Sequence, residues 1–377
     1  MLRYRTALPS EREQYLSFAN MVFSLSGRKH DFAALLPKVY GPHADGAEMQ
    51  YLAVDDEKGI RGLIATLPGV WHVGDETLKT GYIGTVSVHP DARGEGHMKK
   101  LMQLNMDRML QNGTDIAMLG GQRQRYSYFG YEPGGLSMRL TFSRRMARHA
   151  LADADVDGLR FEPILPGSLP EAQAAALHRT QAAYFDRERS GFATVARSYG
   201  GTAYAALQGD VFLGLVVCGQ DPARVAEIQA VSLEAYDQII KGWLERCSAD
   251  CFTLDAPGWN VPLLNHLWNY AEDMRAGVCA QFSILRYARV LQALLRLKAL
   301  YTPLEDGRAE LEADGQPFTI VVENGRASVT SGAQRPIVLN HREAQRIFLD
   351  PFYRDVQKRL PESWFPLPLY VSTPDDF

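Results

Sequence analysis

The chain has 377 residues, 46% of them apolar, with 44 acidic against 40 basic side chains and a formal net charge of −4. That length leaves room for two or three domains with real cores. The slightly acidic balance argues against nucleic acid as a partner, and no apolar run approaches the roughly 20 residues of a membrane-spanning helix. Cys218, Cys247, Cys251 and Cys279 form no C-x-x-C pair and complete no metal site, which fits reduced thiols in the cytosol.

Met1 to Arg5 lead directly into strand-like sequence without a secretory apolar segment, so a cytoplasmic location is expected and no membrane association. Gln50–Val54 and Ile60–Leu67 read as strands joined by a turn over Asp55–Gly59. The most informative stretch follows, from Tyr82 to Met109. Val86, Ser87 and Val88 close an apolar strand, which Pro90 ends because it cannot donate to a ladder and restricts His89 before it. Arg93, Gly94, Glu95, Gly96, His97 and Met98 then form a basic glycine turn. Met98, Leu101, Met102, Asn105, Met106, Met109 and Leu110 recur at three- and four-residue spacing, so a helix presents one face that is apolar except for Asn105. Strand, glycine turn and helix N-terminus together make a cradle for a pyrophosphate: Arg93 supplies charge, and unsatisfied amides at the positive end of the helix dipole face an anion.

Ile116–Leu119 reads as a buried strand, followed by Gly120, Gly121, Gln122 and an aromatic cluster containing Tyr126, Tyr128 and Tyr131. A second unit begins after the mixed segment Ala150–Gly158. Its Tyr204–Leu207 and Gly214–Val217 echo Tyr51–Val54 and Gly62–Ala65. After Val225–Val231 it passes directly into Tyr236–Trp243 with no Arg-x-x-Gly turn between, so it is expected not to bind the same ligand. A leucine-rich helix from about Val290, short strands around Ala309–Ala313 and Pro317–Val322, and a hairpin turn over Glu323–Arg326 mark a third unit. The run Trp364–Val371 is too apolar for a solvated tail, so the last residues, Ser372–Phe377, are expected to be tied down.

The pattern V-x-V-x-P-x-x-R-x-x-G resembles the acetyl-CoA motif of the Gcn5-related N-acetyltransferases (GNAT), with Arg93 and Gly96 matching and Met98 replacing a small residue. In that respect, and in ending on phenylalanine, the chain is similar to the enhanced intracellular survival (Eis) branch. The resemblance implies an α/β (α+β) fold: a GNAT domain over 1–150, a degenerate GNAT-like domain over 151–285, and a sterol-carrier-protein-like domain over 286–377. It implies that the strand backbone around Val86, Ser87 and Val88 pairs with pantetheine. Arg93 and the amides of Gly94, Glu95, Gly96, His97 and Met98 would hold the pyrophosphate, with Gly121 and Gln122 near the acetyl end. Tyr126, four residues before Gly130, would protonate the thiolate, since a phenol of pKa near 10 keeps its proton at neutral pH. The Phe377 α-carboxylate would attract and deprotonate the amine, with Asp375 and Asp376 deepening the negative field, while Tyr128 and Tyr131 pack under a loop.

These implications describe an acetyl-CoA-dependent N-acetyltransferase using no metal. Its acceptor would be a small polycationic amine (aminoglycoside or polyamine) or a lysine side chain. Relatives suggest a hexamer. Two rival readings are an acetyl-CoA-binding regulator without turnover and a lipid or ligand carrier acting through the third domain; the intact loop with Tyr126 and Phe377 favours the enzyme.

Overall fold

The computed structural model describes residues 1–41, 44, 46–357 and 359–377, and these form three sheets. In chain order the strands are β1 (Leu2–Thr6), β2 (Gln50–Asp55), β3 (Gly59–Val73), β4 (Glu76–Val88), β5 (Ile116–Leu119), β6 (Glu132–Gly134), β7 (Ser137–Ser143), β8 (Leu159–Pro163), β9 (Ala183–Phe185), β10 (Thr202–Gln208), β11 (Val211–Cys218), β12 (Arg224–Ala230), β13 (Cys251–Pro257), β14 (Asp273–Gly277), β15 (Ala280–Ile284), β16 (Gly307–Ala313), β17 (Gln316–Glu323), β18 (Arg326–Ser331) and β19 (Ile337–Leu339). Among the first six lie helices α1 (Arg12–Ser24), α2 (Phe32–Leu35), α3 (Pro37–Tyr40), α4 (His97–Asn112) and α5 (Arg123–Tyr126).

The first sheet runs β1-β2-β3-β4-β5-β15-β6, with β9 added to the far end of β3. The second runs β8-β10-β11-β12-β13-β7-β14, and the third β18-β17-β16-β19. Position by position the first two sheets repeat one plan. Each has a single parallel pair, β4 with β5 and β12 with β13, among antiparallel neighbours. The echoed segments fall on β2–β3 and β10–β11, which hold equivalent places. The sheets also exchange strands across the boundaries expected near 150 and 285. β7, before residue 150, completes the second sheet, and β15, before residue 285, completes the first.

Strand alternation decides how the first sheet is covered. Ile116 and Met118 of β5 point into one core, while Ala117 and Leu119 point into another that holds Leu101, Met102 and Met109 of α4. All four are buried because both faces are covered. The α4 stripe is narrower than its sequence spacing suggests: Leu110 is exposed at the end of the helix, and Asn105 is buried, donating to the Leu101 carbonyl at 2.9 Å. On the opposite face the helix Tyr287–Ala299 shares one core with the third sheet, through residues such as Leu294, Phe318 and Ile320. The β17–β18 hairpin turns through Asn324 and Gly325 at φ 52° and 71°, the left-handed region those two residues tolerate. Trp364, Leu367, Leu369, Val371 and Phe377 are all buried, so the tail is docked as its composition predicts.

Candidate active site

Strands β4 and β5 pair from Thr80–Ile116 to Ile83–Leu119 and then separate. β5 stops there, but β4 runs on to Val88. Beyond Ile83, the β4 edge facing β5, which carries Val86, Ser87 and Val88, has no strand partner among the described residues. A bulge in the β3–β4 pairing sits at this point, with Thr85 at φ 49° and its hydroxyl on the Tyr40 hydroxyl. The result is a cleft with free backbone donors and acceptors along one wall.

The glycine turn lies at the mouth of that cleft. Pro90–Ala92 forms a 3-10 turn, and Gly94 and Gly96 follow at φ 88° and 83°. Nothing lies within 4 Å of where a Cβ on either would stand, so both are needed for their backbone conformation and both face open space. Gly96 caps α4 without any side-chain acceptor, so the first amides, including those of His97 and Met98, are left for an external anion. Arg93 is exposed and has no ion-pair partner among the described residues. One expected amide is not free: Glu95 N–H points back to the Ala92 carbonyl at 3.3 Å. The buried His97 ring bridges the Tyr4 hydroxyl (2.8 Å) and the Glu95 carboxylate (3.0 Å), drawing that anion aside.

Across the cleft, Gly121 at φ 123° leaves room for the Tyr126 ring; a Cβ there would meet Tyr126 Cε2 at 2.8 Å. Tyr126 is buried, which raises its pKa against a smaller opposing effect of Arg125, so the phenol holds its proton at neutral pH. Gln122 stands exposed at the N-cap of α5. Gly121 accepts a 2.8 Å hydrogen bond from the Gln281 amide of β15, whose Oε1 is buried without a partner. The other tyrosines divide. Tyr131 is fully buried, but Tyr128 is 67% exposed with Lys99 over its ring at 5.5 Å, so it caps the groove beside α4 instead of packing under a loop.

The tail approaches from the opposite face of the sheet. The Phe377 ring lies on Gly84, the first β4 residue past the paired stretch, where a Cβ would come within 2.8–2.9 Å of it. Burying a phenylalanine side chain is worth about 1.5–3 kcal/mol. Polar contacts from two other regions fix the segment. Lys38 Nζ of α3, buried, donates to the carbonyls of Pro374 (2.7 Å) and Asp376 (2.5 Å). Burial pulls its pKa down to about 8, resisted by Asp375 and Asp376. Arg187, just beyond β9 and also buried, holds Asp375 through Nε (2.9 Å) and Nη2 (2.8 Å) and Glu227 through Nη2 (2.9 Å). Burial alone would raise the Asp375 pKa, but Arg187 overcomes it and brings it to about 2. Asp375 therefore adds no free negative charge to the cleft, contrary to the sequence expectation; its charge is spent on Arg187.

The structure puts Val86, Met98 and Tyr126 against one core, with Arg93–Gly96 in the turn between strand and helix and Gly121 and Gln122 just ahead of Tyr126, while Phe377 reaches Gly84 from the other face. Sequence spacing missed Lys38, Arg187 and Gln281, which reach the cleft or tail from distant segments without any local motif, and gave no role to Tyr82, which opens the motif stretch on β4 and bonds the tail. Among the described residues no group of three or more His, Cys, Asp or Glu could hold a metal ion.

Residues 3–134 match the family model described as an acetyltransferase (GNAT) domain. No curated protein sequence matches the chain. Among solved structures, a GCN5-related N-acetyltransferase from Anabaena variabilis superposes with a TM-score of 0.66 at 18% identity, over 92% of this chain and 89% of that one. Another from Kribbella flavida gives 0.64 at 18%, over 91% and 88%. Eis1 from Mycobacterium abscessus gives 0.63 at 15%, over 93% and 89%. At these identities the likeness is one of fold: mixed α/β, several sheets, along nearly the whole chain. The matched domain, residues 3–134, supports an acyltransferase, while the likeness along the rest of the chain is one of fold.

Proposed function

We propose that the chain transfers acetyl from acetyl-CoA to the primary amine of a small polycationic substrate, an aminoglycoside or a polyamine, or to a lysine side chain. The observation that carries this reading is the β4 overhang: a glycine cradle at its mouth, Tyr126 on one side and the Phe377 ring seated on Gly84 from the other. In this reading the open edge at Val86–Val88 pairs with the pantetheine arm. Arg93 and the amides of Gly94, Gly96, His97 and Met98 hold the pyrophosphate, while Gly121 and Gln122 flank the acetyl end. Acetyl-CoA is a cosubstrate, and this chain's residues do the positioning and proton handling. Tyr126 donates its proton to the departing sulfur. The Phe377 carboxylate attracts the ammonium and takes up its proton through water. The third sheet serves as a scaffold for the tail that carries Phe377.

The test is thiol release from acetyl-CoA across aminoglycosides, polyamines and lysine peptides, comparing a protein ending at Phe377 with one extended beyond it. Amine-dependent release abolished by the extension supports both the activity and the role of Phe377. Release that survives the extension removes Phe377 from the mechanism. Binding of acetyl-CoA without release for any amine favours the non-catalytic regulator.

A further inference from the structure

We infer that the side chain of Asp376 is the first proton acceptor for the incoming amine, which reaches it through the cavity between the tail and the β7–β14 edge of the second sheet. This rests on the acetyl-transfer function proposed above and names the group that makes the amine nucleophilic.

Two adjacent aspartates end in opposite situations. Asp375 is fully engaged by Arg187 and Ser372. Asp376 keeps one oxygen uncommitted: Oδ1 accepts from the Tyr82 hydroxyl and from Phe377 N–H at 2.8 Å, while no hydrogen bond reaches Oδ2 among the described residues. Its position is that of a catalytic group. Oδ1 would lie 3.8 Å from a Cβ on Gly120, the residue directly after β5 where the two strands part, and Tyr82 is on β4 within the last paired residues. On its other side Asp376 lines a cavity of about 420 Å³ together with Ser137, Arg139, Arg275, Cys279 and Tyr370. That volume admits an amine side chain, and Asp376, which lines it, also touches Tyr82 and lies beside Gly120 at the cleft.

The surroundings suit a base. Tyr82 faces it from β4, Lys38 from α3, Tyr199 from the turn at 198–200 and Cys279 from ahead of β15, with Asp375 and Phe377 beside it in the chain. Across the cavity the cations are already matched: Arg139 to Asp255 at 2.8 and 2.9 Å, and Arg275 to Asp273 at 2.7 Å. Burial raises the Asp376 pKa above the usual carboxylate value, and the Tyr82 hydrogen bond and Lys38 only partly offset it. A raised carboxylate lies nearer to an ammonium in proton affinity, which is the direction a base requires.

The proton balance closes. The ammonium gives one proton to Asp376 Oδ2, directly or through one water, and becomes a neutral amine. Its lone pair forms the N–C bond to the acetyl carbon, the C–S bond breaks, and the sulfur takes the Tyr126 proton. The remaining excess proton on the new amide nitrogen reloads Tyr126 through water. One proton per turnover therefore passes from Asp376, the first acceptor, through water to the neighbouring Phe377 carboxylate and on to solvent.

The experiment measures thiol release against pH for the full chain, Asp376→Asn and Tyr82→Phe, with acetyl-CoA affinity measured separately by calorimetry. Asp376→Asn is expected to lower kcat by about 10²–10⁴-fold, leave acetyl-CoA affinity unchanged and abolish the acid limb of kcat/KM for the amine. Tyr82→Phe removes a donor to the charged carboxylate, so the limb should move to higher pH with activity recovered above it. An acid limb that stays in place in both variants overturns the inference, even where turnover falls, because that is the signature of a structural role. A wild-type protein that releases no thiol with any amine instead sinks the acetyl-transfer function on which the inference depends.

Discussion

The first and second sheets have the same strand order and the same parallel pair, yet one leaves its cleft open and the other narrows it. β12 and β13 pair only from Arg224–Thr253 to Val225–Leu254 before they too separate. Glu227, in the β12 overhang, holds Arg187, which holds Asp375 of the tail, and Tyr370 O–H reaches the Asp255 carbonyl at 3.4 Å. The second opening is thus narrowed by the chain itself to a cavity of about 80 Å³. The helices that follow differ in the same sense. Gly96 gives α4 no side-chain cap, whereas Ser232 caps the helix Leu233–Arg246 by accepting from Ala235 N–H at 3.1 Å, and Glu234 adds a negative charge in the first turn. A serine cap satisfies the amides that an anion would otherwise bind. One fold plan therefore yields a binding cleft or a structural joint, depending on a few residues at the strand ends.

The comparison can be broken at several points. The largest effect is expected from Tyr126→Phe, which should cut kcat by about 10²–10⁴-fold with acetyl-CoA affinity intact; equal loss of both would make the tyrosine structural. Arg93→Gln removes the free cation of the first cradle. It should raise the KM for acetyl-CoA by about 10–100-fold, the worth of a charge-assisted hydrogen bond, with kcat little changed. The joint in the second sheet has a pH signature instead. The folded Asp375 pKa, about 2, lies below its unfolded value, so its contribution to stability is complete above about pH 4 and is lost as pH falls toward 2. Asp375→Asn should flatten that part of the stability–pH curve, as followed by urea unfolding. The smallest effect is reserved for Ser232→Ala: about 1 kcal/mol of stability and no change in kcat or KM. Altered acetyl-CoA binding in that variant would mean the second sheet is not closed to it.

What could be read from sequence was local. The cradle at Arg93–Met98, the four-residue strand β5 and the Asn324–Gly325 turn depend on neighbours within a few positions, where spacing and backbone preference decide the outcome. The stripe on α4 was read correctly at Leu101, Met102 and Met109 but not at Leu110, because periodicity does not say where the covering sheet ends. The exchange of β7 and β15 left no mark, since an apolar strand pattern does not specify which sheet receives it. Lys38 and Arg187 were invisible for a related reason: each meets the tail across more than 180 residues of chain, and only the folded structure brings them to it.

The crossed strands also constrain the order of events during synthesis. β1–β5 are complete by residue 119 and β6 by residue 134, but β15, which lies between β5 and β6, begins at Ala280. While residues 135–279 emerge from the ribosome, β5 has an unpaired edge, and such an edge is a template for wrong pairing. A fragment cut at the sequence boundary near 150 would keep that edge permanently and carry β7 without its own sheet. Such a fragment should aggregate where the whole chain folds, and a long-range closure of this kind makes for slow folding. The two sheets are therefore best regarded as one folding unit, inherited and expressed together.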